Sequence, residues 1–287
     1  CGDPTYIITE NGEHWLIYGS WHSGIAALQV NPEDGKPLNA LGNPWDITGE
    51  DNSGYGKIIA TRGTSRWQAS EGPEVIYRDG YYYLFLAYGS LSVEYNTRVC
   101  RSRNIDGPYV DIHGNSAMGS AQLYPILTAP YRFDNSYGWV GISHCGIFDD
   151  GAGNWFYTSQ GRFPVNVGGN EYSNAIMMGH VRSIRWDANG WPLVMPERYG
   201  AVPQAPITEN EIAGDWEHLA LTNNTGTQRT SETMTYDLDT HKITSGSWKN
   251  ATWTFDAATQ TITTSAGVVL YLQREVDWEA SPRTHTI

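Results

Sequence analysis

Short runs of alternating apolar and polar residues, broken by turns, fill the chain up to about Gln204, and no stretch keeps a helical period. Three segments repeat one pattern: an apolar strand, a turn containing Gly, an aromatic-rich strand, then small residues. They read DPTYIITENGEHWLIYGSW, GPEVIYRDGYYYLFLAYGS and SHCGIFDDGAGNWFYTSQGR. Asn11-Gly12 and Asp79-Gly80 predict hairpins with type I′ turns, whose two central residues both need positive φ. The third turn, Asp149 to Asn154, is longer. Each hairpin is followed by a further strand pair, in GIAALQVNPEDGKPL, NTRVCRSRNIDGPYV and HVRSIRWDANGWPLV. Four strands per unit is the sequence form of a propeller blade, and three blades do not close a ring that needs about four to eight.

From about Gln204 the texture changes to a Thr-rich, alternating, turn-punctuated stretch. It predicts short antiparallel strands in a small barrel or sandwich. Pro203 and Pro206 flank the expected linker, which divides the chain into residues 1–203 and 204–287. The expected fold is therefore all-β, with three propeller blades and a C-terminal antiparallel β-domain.

Composition narrows the partners. Aromatics make up 13% of the 287 residues, with 12 Trp and 18 Tyr, against only 17% charged residues. Most of these rings serve the core, but such rings also pack on the apolar faces of sugars. A formal charge of −13 argues against nucleic acid, which calls for a basic surface. It also disfavours anionic membranes and polyanionic substrates, which leaves a neutral polymer. No apolar run approaches the roughly 20 residues that span a bilayer. Scarce Lys with abundant Asn, Thr, Gly and Trp suggests an exported bacterial protein: secreted, periplasmic or at the cell surface. The three cysteines match no zinc spacing, and Cys100 and Cys145 are expected to be buried as small hydrophobes.

Glycoside hydrolysis needs two carboxyl groups across the scissile bond. Of 31 acidic residues, Glu71 in SEGPEV and Asp3 in CGDPTY stand out, each just ahead of a strand start and before Pro or Gly-Pro. Both are expected at one blade position, pointing into a central channel. His144 in ISHCGIF is expected at the same position of the third repeat. A lone histidine is more often a satisfied core residue, and one imidazole is no metal site by itself. The threefold register is what favours a shared site.

At these residues the chain resembles glycoside hydrolase family 43, in particular its endo-arabinanases with a five-bladed propeller and an ancillary C-terminal β-domain. GDPTYIITENGEHWLIYGSWHSGIAAL, EGPEVIYRDGYYYLFLAYGSL, YNTRVCRSRNIDGPYVD and MMGHVRSIRWDANGWPLVMPERY carry the resemblance. It implies that Glu71 is the general acid and that Asp3 orients it and raises its pKa. It places His144 beside a calcium ion, or sodium in some members, held mostly through waters. It puts Ser20, Trp21, Tyr95 and Asn96 along the sugar subsites. It also implies an inverting reaction on α-1,5-linked arabinofuranose chains of plant cell-wall arabinan.

The family's base Asp belongs to its first blade, and the resemblance begins at the third. The base and the first two blades are therefore expected on an N-terminal polypeptide of the same precursor, docked to this one. Cleavage before Cys1 by its own thiol, nicking by a protease and a lipid-modified Cys1 are the three origins weighed. Rival readings are an exo-acting arabinofuranosidase or xylosidase of the same fold, and a carbohydrate-binding propeller without catalysis. Linear against branched substrate is expected to depend on loops such as Asn43 to Trp67.

Overall fold

The computed structural model describes residues 2–22, 24–38, 55–64, 68–133 and 136–287. Cys1 and most of the Asn43 to Trp67 loop lie outside them. Three four-stranded antiparallel sheets follow one another along the chain, each in sequence order. The first holds β1 (Thr5–Ile8), β2 (His14–Tyr18), β3 (Ile25–Val30) and β4 (Lys57–Ala60). The second holds β5 (Ser70–Arg78), β6 (Tyr81–Tyr88), β7 (Asn96–Ser102) and β8 (Ile126–Thr128). A short β9 (Tyr131–Arg132) precedes the third, made of β10 (Gly146–Asp149), β11 (Trp155–Arg162), β12 (Met177–Trp186) and β13 (Pro192–Val194).

The second sheet lies between the other two, with β5 packed against β1 and β2 and also against β10. β6 explains how one sheet serves both neighbours. Tyr82, Leu84, Leu86 and Tyr88 enter a core shared with Ile17, Ile25 and Ala27 of the first sheet. Tyr83 and Phe85, on the opposite face, enter a core shared with Ile147, Tyr157 and Ile184 of the third. Successive strand side chains alternate in direction, so an unbroken apolar run fills two cores. Each fully buried Leu or Phe contributes about 1.5–3 kcal/mol.

The turns are partly as expected. Asp79 and Gly80 both take positive φ (49° and 81°), as a type I′ turn requires. The Asn11-Gly12 expectation is corrected: only Gly12 has positive φ (77°). There the loop runs from Thr9 to Glu13, with Gly12 N–H donating to Thr9 O and Thr9 N–H to Glu13 O. The Thr9 hydroxyl also accepts the Glu13 N–H at 3.1 Å, which stabilises the wider turn.

In the first two sheets the start of the first strand faces the end of the second, as Thr5↔Ile17 and Ser70↔Tyr88, and in the third Gly146 pairs with Thr158, from which β11 runs on to Arg162. The connections 19–24, 89–95 and 163–176 therefore share an end with the starts of β1, β5 and β10. That end carries the candidate site.

The C-terminal part holds β14 (Gly214–His218), β15 (Arg229–Thr230), β16 (Glu232–Asp237), β17 (Lys242–Ile243), β18 (Trp253–Asp256), β19 (Thr261–Thr264), β20 (Val269–Tyr271), β21 (Glu275–Asp277) and β22 (Thr284–Thr286). Among the described residues they form separate two- and three-stranded sheets, not a closed barrel. Ile212, Met234, Tyr236, Ile243, Trp253 and Ile262 build its core. A capping box of Thr208 and Glu211 starts the short 3-10 helix Glu209–Glu211 that leads into it. The contacts that fasten it to the sheets include the parallel pairing of β15 with β9 and a 2.9 Å bond that Asn223 Oδ1 accepts from buried Arg98. Among the described residues no helix is long and apolar enough to cross a membrane.

Candidate active site

Backbone geometry defines the site before any side chain does. Asp3, Gly72 and His144 all take left-handed φ, at 51°, 57° and 58°. Each stands two residues before a matching strand pair: Thr5↔Ile17, Glu74↔Phe85 and Gly146↔Thr158. The expected register is corrected here. Gly72, not Glu71, occupies the place of Asp3 and His144. The cause is a β-bulge: Glu71 pairs with Ala87 and Glu74 with Phe85, so β5 carries one extra residue at Gly72-Pro73. Pro73 has no N–H to give the ladder, and Gly72 adopts positive φ without the strain a side chain would bring.

The missing side chain at Gly72 also makes room. A Cβ there would lie 2.9 Å from His144 Cγ, so the imidazole rests directly on the Gly72 backbone. Asp3 closes the group. Its Oδ2 accepts the Gly72 N–H at 3.2 Å, and its Oδ1 lies 4.0 Å from His144 Nε2. Asp3 thus grips the peptide that follows Glu71.

Glu71 is half-buried, and Ser20 Oγ donates to its Oε2 at 2.9 Å. Ser20 is held there by its own loop. The Trp21 N–H donates to Ser70 O at 2.9 Å, and the Gln68 N–H donates to Trp21 O at 3.0 Å. This short pairing lays Ser20 and Trp21 alongside the start of β5, with the Trp21 ring partly exposed. One carboxyl with a hydroxyl donor, an apolar ring and an open side is a geometry able to transfer a proton to a bound sugar oxygen.

Tyr95 and Asn96 are placed differently. Both are buried, and Asn96 is only 1% exposed. Its amide donates to Tyr88 O and Glu94 O, and its Oδ1 accepts Arg98 Nε, so its polar atoms are engaged within the protein. The pair supports the end of β6 from within.

Glu74 was not anticipated. It lies in β5, the strand that packs against both β1 and β10. Burial raises its carboxyl above the ordinary value. A carboxylate inside a strand, two residues past the bulge, was the available signal.

For the cation implied beside His144, the donors present are one imidazole and the Asp3 carboxylate, with the His144 side chain open to solvent. Such a set fits an ion held largely through water and does not form a protein cage. Elsewhere, the carboxylates of Glu197, Asp277 and Glu279 come within 4.8 Å of one another. There Glu279 already pairs with Arg198 and accepts from Trp139 Nε1, both at 3.0 Å.

The profile of glycosyl hydrolases family 43 matches residues 1–192, and that of a C-terminal lipocalin-like domain matches residues 196–287. Extracellular endo-alpha-(1->5)-L-arabinanase 2 of Bacillus subtilis is 30% identical over 237 residues, 75% of this chain and 46% of its own length. Extracellular endo-alpha-(1->5)-L-arabinanase of Thermotoga petrophila is 30% identical over 236 residues, 76% of this chain and 45% of its own. The crystal structure of endo-1,5-alpha-L-arabinanase from Thermotoga petrophila RKU-1 superimposes with a TM-score of 0.80 at 25% identity. It covers 99% of this chain, which in turn covers 63% of it. The chain thus spans about half the length of the curated relatives it matches. It belongs to glycosyl hydrolases family 43.

Proposed function

We propose that the protein hydrolyses α-1,5-linked L-arabinofuranosyl bonds of arabinan, cutting within the polymer and inverting the anomeric centre. The observation that carries this is Glu71 at the shared end of the sheets, bonded to Ser20 and followed by the peptide that Asp3 holds. Both relatives named above are endo-arabinanases, and both are extracellular, which supports secretion of this protein as well.

In this reading Glu71 gives its proton to the departing glycosidic oxygen as the C1–O bond breaks. A water attacks C1 from the opposite face and yields its proton to a second carboxylate, about 6.5–9.5 Å from the first in an inverting enzyme. That base is proposed to be an Asp of the first blade of a five-bladed propeller, as the family resemblance implies. Asp3 is a positioning residue, since its contact with Glu71 runs through the Gly72 N–H. Trp21 offers an apolar face to a furanose ring. His144 would hold the calcium or sodium ion, which when bound supplies fixed positive charge at the sheet starts.

Incubation with linear arabinan tests the proposal. Oligosaccharides of mixed length indicate endo cleavage, and proton NMR should show the inverted anomer first. Arabinose as sole product would instead favour the exo mode named for a Cellvibrio japonicus relative, 24% identical over 198 residues. Binding without any product would favour a carbohydrate-binding protein.

A further inference from the structure

We propose that the connection between β11 and β12, residues 163–176, is a distal subsite for the sugar polymer, with Tyr172 as its stacking platform. This rests on the reading of the protein as a polysaccharide hydrolase.

The loop inverts the usual arrangement of polar and apolar residues. Ser173 is 2% exposed, whereas Tyr172 is 71% and Val165 60% exposed, with Ile176 outward as well. Large apolar groups on a surface ordinarily mark a contact when they are gathered and held together. Here they are held. Ser173 Oγ donates to Pro164 O at 2.5 Å and accepts the Val167 N–H at 3.1 Å. Asn174 Nδ2 donates to Phe163 O at 2.9 Å, and Arg162 Nη1 donates to Asn174 O at 3.0 Å. The Tyr172 N–H is fixed on Asn170 Oδ1 at 2.9 Å. At the base of the loop, the Phe163 ring stacks on buried Trp139 at 4.7 Å. Polar side chains are spent inward on shape, and the apolar ones are presented. A Tyr on a fixed backbone has only two torsions to order on binding, so it contacts a ligand at low entropic cost.

The loop is continuous with the candidate site. Asn174 Nδ2 also donates to Ser92 O at 2.8 Å, in the 89–95 connection of the second sheet. The Gly141 N–H, ahead of β10, donates to Val93 O at 3.0 Å. The three connections at the end that bears Glu71 thus each expose an apolar side chain: Trp21, Leu91 and Tyr172. A polymer bound at Trp21 and Glu71 has a route across the second connection onto the third.

The chemistry of the loop selects the occupant. FPVNVGGNEYSNAI carries a single charge, at Glu171, beside the amides of Asn166 and Asn170. A neutral ligand with apolar ring faces and many hydroxyls suits that surface better than a charged one.

The test compares Tyr172→Ala and Tyr172→Phe with the wild type, each in its active, fully assembled form. For Tyr172→Ala, KM for long linear arabinan should rise about three- to tenfold, the range expected for one lost ring contact. kcat should be unchanged, as should both constants for arabinotriose. Tyr172→Phe should behave as wild type. Equal effects on polymer and trisaccharide, or none on either, would overturn the subsite. So would a marked loss of stability in Tyr172→Ala, because the ring would then be an internal contact. Retardation in gels containing arabinan or xylan separates this proposal from the hydrolase reading. A wild-type protein that is retarded but inactive, with retardation lost in Tyr172→Ala, retains the platform and rejects the hydrolase. Unchanged retardation in Tyr172→Ala rejects the platform.

Discussion

Asp3 and Gly72 are joined across two sheets by a 3.2 Å hydrogen bond, from the Gly72 N–H to Asp3 Oδ2. Because Gly72 follows Glu71, the bond fixes the peptide from which the proposed acid projects. Asp3→Ala should therefore lower kcat about ten- to hundredfold, the usual worth of a hydrogen bond to a charged group. KM should stay within about twofold, and Asp3→Asn, which keeps an acceptor, should recover part of the loss. Steady-state kinetics on arabinan checks this, and an unchanged kcat in Asp3→Ala would show that the bond does not position the acid.

Gly72 should be intolerant of even one carbon. Its φ is 57°, and an added Cβ would lie 2.9 Å from His144 Cγ. Gly72→Ala should cost about 1–3 kcal/mol of stability and reduce activity, since the ring or the peptide must move. Urea denaturation of the variant should show an earlier midpoint at unchanged slope.

The boundary between the sheets and the C-terminal part carries opposing pH terms. Burial, then Glu279, pushes Glu197 up from 4.5 to about 8. Asp277 adds to the rise, while Arg182 and Arg198 oppose it. The folded protein holds a proton that the unfolded chain releases, so this contribution is full below about pH 4.5 and is lost as pH rises towards 8. Glu197→Gln should flatten the decline in urea midpoint between pH 5 and 9, and parallel curves would contradict the assignment. His180 acts oppositely. Burial, then Arg182 and Arg198, lowers it to about 3, so its contribution holds above about pH 6.5 and is lost on acidification.

Much of the sheet order was legible because strand periodicity and turn chemistry are local. Asp79-Gly80 formed the expected turn, whereas Asn11-Gly12 became a wider loop once the Thr9 hydroxyl supplied an acceptor for Glu13. Site register was harder to read. Counting residues aligned Glu71 with Asp3 and His144, but a bulge at Gly72-Pro73 shifts the frame by one, and only pairing reveals it. The resemblance put Asn96 along the sugar subsites, and its partners here are its own backbone neighbours and Arg98. Tyr172 escaped notice because its segment has the composition of an ordinary polar loop. Nothing local shows that Ser173 turns inward while the tyrosine stays out.

The proposed role of Glu71 is tested most directly by the dependence of Glu71→Gln on the leaving group. Loss of a general acid should lower the rate on arabinan by about 10²–10⁴. An aryl arabinofuranoside, whose leaving group departs without protonation, should lose far less. Arabinan hydrolysis at the wild-type rate, or equal losses on both substrates, would contradict the assignment of Glu71 as the acid.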